Sequence, residues 1–194
     1  MTLDALVTLS GTHVRLEPLR PDHVFELREA VAEPHEDLWF TTVPTPVTLA
    51  DDVAERLAKR DAGTMNPFVT RRLDDGRLVG ETTFCNLDLA SPRTEIGYTW
   101  LAPSAQRTPI NTEAKLLMLT YAFEECEVIA VEFRSHFHNR RSRAAIERLG
   151  AKLDGILRNH RYGPDGTLRD TAAYSILPHE WPTVRQGLLA RLTR

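Results

Sequence analysis

Apolar positions along the chain recur with two periods, two and about 3.6, and the switches between them mark the elements. Over His13–Leu19, Val14, Leu16 and Pro18 alternate with Arg15 and Glu17, which predicts a half-buried strand. Pro21 and Asp22 then open a helical run in which Val24, Leu27 and Val31, with Phe25 beside them, form an apolar stripe. Glu33–Pro46 breaks that period with three prolines; it reads as a loop or short helix over the surface, carrying Trp39 and Phe40 beside Glu36 and Asp37. Thr48 stands where it can cap a second helix, along which Val53 and Leu57 recur at helical spacing. Pro67–Leu73 and Leu78–Leu87 predict two strands joined by a turn at Asp74-Asp75-Gly76.

Thr94–Leu101 predicts the next strand, with Ile96, Tyr98 and Trp100 on one face and Glu95, Gly97 and Thr99 on the other. A glycine inside a strand points to a bulge or to the close approach of another chain or ligand. Farther on, Ile110, Ala114, Leu117 and Tyr121 follow the helical period, while Leu116, Met118 and Leu119 make this helix apolar nearly all round, hence central and buried. Ala130–Ser135 predicts a short strand and Asn139–Leu149 a helix, closed by Gly150 at a C-cap position. Two strands flank the turn Gly163-Pro164-Asp165-Gly166, Ala173–Leu177 completing the second, and a last helix places Trp181, Val184, Leu188 and Leu192 on one face. The order of elements predicts a mixed α/β (α+β) domain around one central sheet.

Composition narrows what such a domain can be. At 194 residues and 22.0 kDa the chain suits a single domain over residues 1–194, with a core at about 12–178 and a terminal helix at 179–193. Lys+Arg 24 against Asp+Glu 27 gives a formal charge of -3, so no global basic footprint argues for nucleic acid. Cys85 and Cys126 have neither metal-motif spacing nor the look of a disulfide framework, which fits a reducing compartment. Met1–Ser10 lacks an early Lys or Arg and a long apolar core, and no run is long enough to span a membrane, so the expected location is the cytoplasm.

Between the strand ending at Trp100-Leu101 and the buried helix lies Q-R-T-P-I-N-T-E-A-K, Gln106–Lys115. A strand, a polar turn and a helix N-terminus together make an anion site, because the N–H groups of the first turn and the positive end of the macrodipole point at the turn. Thr108-Pro109 fits an N-cap followed by proline at the first helical position, and Arg107 adds a permanent charge. The same ten residues also fit an ordinary capped helix after an ordinary loop.

E-I-G-Y-T-W-L, then Q-R-T-P-I-N-T-E-A-K, then N-R-R-S-R-A-A-I-E-R-L-G-A, then P-D-G-T-L-R-D-T-A-A-Y-S-I-L-P-H-E-W occur in one order over nearly the whole chain. In that order and spacing they resemble the GNAT acetyltransferase superfamily, most closely its RimJ/RimL-like N-acetyltransferase branch. The resemblance implies a GNAT-like fold, with a mostly antiparallel mixed sheet splayed between its fourth and fifth strands, Thr94–Leu101 and Ala130–Ser135. It implies acetyl-CoA as co-substrate, with the pantetheine arm lying in that gap along Tyr98, Thr99, Trp100 and Leu101. The pyrophosphate would lie on Gln106, Arg107, Thr108, Ile110, Asn111 and Thr112, and Asn139 and Ser142 would contact the pantetheine. Homodimerisation is implied by the resemblance alone. Two departures stand out. The usual phosphate loop, Q/R-x-x-G-x-G/A, has Pro109 and Asn111 at its glycine positions, so binding should lean on Arg107 and on polar side chains. The tyrosine that many members place seven residues after the capping asparagine is Ile146 here.

Acetyl transfer to an amine needs a neutral amine, a stabilised oxyanion and a proton for the departing thiolate. Ser142, in the first turn after Asn139, is the candidate proton donor; Asn139 is equally an N-cap, and a serine at Ser142 is also ordinary for a helix. Glu95 is the first candidate base and Glu81 the second, although a strand carboxylate is often merely solvated and positioning alone can supply much of the acceleration. Trp39 and Phe40 are candidate walls for a cationic acceptor, or one of them is a core aromatic. His136 and His138 form an H-x-H pair too short of further ligands for zinc, so no metal is expected. The expected activity is direct transfer from acetyl-CoA to a primary amine, either a protein α-amine or a small molecule, in a ternary complex. A silent acyl-CoA-binding module and a metal-dependent hydrolase built on the histidine pair are the alternatives.

Overall fold

A computed structural model describes residues 1–34, 39–40, 43–163 and 165–193. Glu36 and Asp37, expected beside the acceptor, and Pro164 of the last hairpin lie outside the described residues.

Eight strands form one sheet: β1 (Leu9–Ser10), β2 (Val14–Pro18), β3 (Met65–Arg72), β4 (Leu78–Asp88), β5 (Arg93–Leu101), β6 (Ala130–His136), β7 (Lys152–Tyr162) and β8 (Leu168–Ile176). Their order across the sheet is β1-β2-β3-β4-β5-β6-β8-β7. Every neighbouring pair is antiparallel except β5 and β6, which run parallel. The short β1, unforeseen because two residues carry no readable period, makes the predicted fourth and fifth strands β5 and β6.

Helices cover both faces. α1 (His23–Ala32) and α2 (Leu49–Asp61) pack on β4 and β3, enclosing Leu19, Leu27, Leu49, Val53, Val69, Leu78 and Trp100. α3 (Pro109–Thr120), α4 (Arg140–Leu149) and α5 (Trp181–Leu192) lie on the opposite face, over a larger core that includes Leu16, Phe68, Phe84, Ile96, Met118 and Phe133. Burial from both sides explains why β3 is closed off from Met65 to Thr70 without polar alternation.

Three expectations fail locally. Phe25 is 72% exposed, and α1 instead buries His23 and Ala30 with Leu27 and Val31, a stripe shifted around the helix. Thr48 precedes α2 but does not cap it; its hydroxyl accepts the Thr45 N–H at 2.9 Å. The third concerns β5. Ile96 and Trp100 belong to different cores, because the ladder with β4 shifts: Glu81 pairs with Trp100 but Thr83 with Gly97. Thr82 thus faces two residues, Tyr98 and Thr99, and Tyr98 has φ 49°. This is a β-bulge, which reverses the alternation beyond it.

Candidate active site

β5 and β6 pair only at Arg93–Ala130, Thr94–Val131 and Glu95–Glu132. Beyond that the strands diverge, β6 continuing to His136 along β8. The bulge sits on the β5 side of the resulting gap, where Tyr98 and Thr99 are exposed while Trp100 turns its ring under α2. Bulges expose backbone groups that no ladder uses, which suits a strand that must bind something at its open edge.

At the far end of β5, Pro103–Ala105 forms one 3-10 turn before the Gln106–Thr108 turn and α3. Thr108 is the N-cap: its hydroxyl accepts from Ile110 N at 3.4 Å and donates to Ala105 O at 2.6 Å. Arg107 is exposed with φ 61°, a left-handed conformation disfavoured for a residue with a Cβ and held here by the turn. The Gln106 amide is used structurally, Nε2 donating to Leu101 O at 2.9 Å and Oε1 accepting from Arg141 of α4. Ile110 points into the core, and Asn111 and Thr112 are half-buried in the first turn of α3. Pro109 supplies no N–H and Ile110 N is taken by Thr108, so the turn has fewer free N–H groups to offer an anion than a glycine loop would. Arg141, which the sequence reading passed over, is drawn to the same turn.

On the β6 side, Asn139 Oδ1 accepts the Ser142 N–H at 2.9 Å and so caps α4, while Gly150 ends it at φ 101°. Ser142 is half-buried, and its Oγ makes no hydrogen bond among the described residues. Ile146, at the tyrosine position, is buried in the core. Tyr174 does not replace it, since its hydroxyl accepts from Arg143 Nε at 2.9 Å and donates to Glu147 Oε1 at 2.8 Å.

The two candidate bases differ in setting. Glu95 occupies the last paired position of β5, at the mouth of the gap; Asn86 Nδ2 donates to it at 2.8 Å and Arg134 Nε lies 3.5 Å away. Burial pushes its carboxyl above the ordinary value, against the pull of Arg134 and Asn86. Glu81 is sealed under α2, its Oε2 accepting from Trp100 Nε1 at 2.7 Å and its Oε1 buried with no hydrogen-bond partner among the described residues. Burial raises its carboxyl as well.

A cleft of ≈560 Å³ opens beside β6, lined by Trp39, His136, His138, Asn159, Asp165 and Asp170 among others. The Trp39 ring meets His136 at 5.1 Å and Phe40 at 5.2 Å, so the predicted wall and the H-x-H pair form one aromatic cluster. The His138 N–H donates to His136 Nδ1 at 3.1 Å, and burial lowers the His136 pKa, with Arg169 adding to the effect. With Nδ1 accepting that N–H, the neutral form of the His136 ring carries its proton on Nε2. No group of three or more His, Cys, Asp or Glu suited to a metal occurs among the described residues, and no helix there is long and apolar enough to cross a membrane. Cys85 is buried against the Glu95 carbonyl, and burial pushes its thiol up.

Residues 13–152 match the model of the acetyltransferase (GNAT) domain, most of the chain including the bulge, the turn and the capped α4. The chain belongs to the GNAT acetyltransferase family. Within that family it is 32% identical over 174 residues to a Bacillus subtilis protein named "Putative ribosomal N-acetyltransferase YdaF", covering 87% of this chain and 93% of that one. A GCN5-related N-acetyltransferase from Brucella melitensis superposes with TM-score 0.87 at 31% identity, covering 97% of this chain and 86% of that one. Mycobacterium smegmatis RimJ, solved in complex with CoA-disulfide, superposes with TM-score 0.78 at 25% identity over 98% and 97% of the two chains. The GNAT acetyltransferase fold is thus shared along almost the full length, and the RimJ-like resemblance read from the motifs holds.

Proposed function

We propose that this GNAT protein is an acetyl-CoA-dependent N-acetyltransferase that acts on a primary amine, a protein N-terminal α-amine or a small molecule, by direct attack in a ternary complex. The observation that carries the proposal is the gap itself: one strand with an exposed bulge, an opposed strand leading to Asn139 and Ser142, and a basic turn at its end. These groups fit a long ligand with an anionic head and an amide-bearing arm, with Arg107 and the first turn of α3 at the head and the bulge and Asn139 along the arm. Acetyl-CoA bound there would supply the acyl group as an activated thioester.

The chain's own residues then have separable tasks. The cleft of Trp39, His136 and His138, backed by Phe40 against the His136 ring, admits the acceptor next to the open end of β6 and narrows the access of water. An alkyl ammonium has a pKa of roughly 10, so a proton must leave the acceptor at neutral pH; Glu95, at the mouth of the gap, takes it through water. Glu81, sealed under α2, serves the scaffold. The Ser142 hydroxyl, uncommitted and at the N-terminus of α4, holds the proton that the leaving sulfur receives. A homodimer is part of the same reading.

Thiol release from acetyl-CoA across a panel of amines and N-terminal peptides tests this. No release with any acceptor, despite acetyl-CoA binding, overturns the enzyme in favour of a silent acyl-CoA-binding module. Ser142→Ala should lower turnover by roughly 10²-fold with acetyl-CoA affinity unchanged, and equal turnover removes Ser142 from the reaction. Arg107→Ala should weaken acetyl-CoA binding by roughly 1–3 kcal/mol.

A further inference from the structure

The bulge of β5 is gripped from both faces of the sheet by a buried cation. From above, Arg56 of α2, 5% exposed, donates through Nη1 to the Tyr98 carbonyl at 3.2 Å and to Thr83 Oγ1 at 3.3 Å. Its guanidinium also lies 5.5 Å from the centre of the Tyr98 ring. Asp52 fixes Arg56, accepting from Nε at 2.6 Å, and Glu81 Oε2 stands 3.6 Å from the same nitrogen. From below, Lys115 of α3, also 5% exposed, donates through Nζ to Thr82 Oγ1 at 2.8 Å and to Thr99 Oγ1 at 2.9 Å. Those hydroxyls are 2.8 Å apart and belong to the β4 residue opposite the bulge and to the second bulge residue.

A buried lysine amine among neutral hydroxyls is an unfavourable arrangement for stability alone, since among the described residues no carboxylate offsets the desolvation of its charged form. Four hydrogen bonds from two nitrogens, to Thr82, Thr83, Tyr98 and Thr99, brace the left-handed Tyr98 through its carbonyl and Thr99 through its hydroxyl. Resting on the acetyl-CoA reading above, we propose that Lys115 and Arg56 are positioning residues that clamp the β5 bulge in the conformation that receives the acyl end of acetyl-CoA.

Calorimetry with two probes tests the clamp: acetyl-CoA, which would span the turn and the bulge, and adenosine 3′,5′-bisphosphate, which would reach only the turn. Lys115→Met keeps the length and apolar stem of the side chain and removes its donors. It should bind acetyl-CoA roughly tenfold more weakly, the scale of one or two lost hydrogen bonds, with bisphosphate affinity unchanged and thermal stability equal or higher. A loss of function without a loss of stability is the signature that a purely structural lysine would not produce. Arg56→Lys should show the same selective weakening, because a point ammonium cannot span Tyr98 O, Thr83 and Asp52 at once. If Lys115→Met fails to fold, Thr99→Val removes one of the two hydroxyls that Lys115 grips, and the same selective loss is expected. Unchanged acetyl-CoA affinity in these variants overturns the clamp and leaves the acetyltransferase reading intact. Absence of acetyl-CoA binding by the unaltered protein overturns both. Equal weakening of both probes overturns the clamp in favour of a general disturbance of the site.

Discussion

The two faces of β5 solve the same problem with different chemistry. On the α2 face a buried arginine is set among carboxylates, Asp52 at 2.6 Å and Glu81 at 3.6 Å, with Trp100 completing the network. On the α3 face the polar partners of a buried lysine, among the described residues, are the hydroxyls of Thr82 and Thr99. Removing a member of a charge network leaves a partner exposed to low dielectric, whereas removing a lone ion relieves a desolvation burden. One face is therefore held together by its cation, and the other carries its cation at a cost to stability.

Arg56→Met is the strongest way to break this contrast. It strands Asp52 and Glu81 and should lower the unfolding free energy in urea by about 3–5 kcal/mol; a loss under about 1 kcal/mol would mean that the network is not cohesive. Lys115→Met should be neutral or stabilising by about 1–4 kcal/mol near neutral pH. Its pH dependence sharpens the point. Burial lowers the Lys115 pKa from 10.5 to about 7, and the titratable group that faces it is the Cys85 thiol. Between those values the unfolded chain holds a proton that the folded chain has released, so the wild type gains stability as pH rises from about 7 towards 10.5. The advantage of Lys115→Met in Tm should accordingly be largest at pH 7 and below and shrink towards pH 10. A constant difference would place the ammonium in a wetter setting. Glu81→Gln should have the smallest effect, within about 1 kcal/mol, because Arg56 keeps Asp52 and the amide oxygen keeps Trp100 Nε1. A large loss there would make Glu81 the necessary counter-ion.

Legibility followed contiguity. Gln106–Lys115 announced itself because strand, turn, N-cap and proline are adjacent, and Asn139 was legible as a cap for the same reason. Lys115 passed as one more polar residue beside Asn111 and Thr112, and nothing local marked it as buried. Arg56 gave no local sign, since an arginine four residues after Asp52 on a surface helix reads as an ordinary i,i+4 pair. The cleft beside β6 was half legible: Trp39, His136 and His138 were noticed as separate features, but Asp165 and Asp170 join them only through the return of β7 and β8. Glu95 stood first and Glu81 second as bases for want of any sign of their settings; Glu81 lies fully sealed against Trp100 and Arg56, and Glu95 at the end of the β5–β6 pairing beside Asn86 and Arg134.

Periodicity, turn chemistry and motif order in the sequence alone determined the mixed sheet, nearly every strand and helix, and the family. These are properties of neighbouring residues, and hydrophobic burial with backbone hydrogen bonding turns them into elements directly. Tertiary structure decided which face each β5 side chain serves. A single extra residue opposite Thr82 reverses the alternation, and a bulge is specified by what packs on both sides of it rather than by the strand that contains it. It likewise decided that two distant cations, Arg56 and Lys115, meet at that bulge, because a buried charge acquires its partners only once the helices close over the sheet.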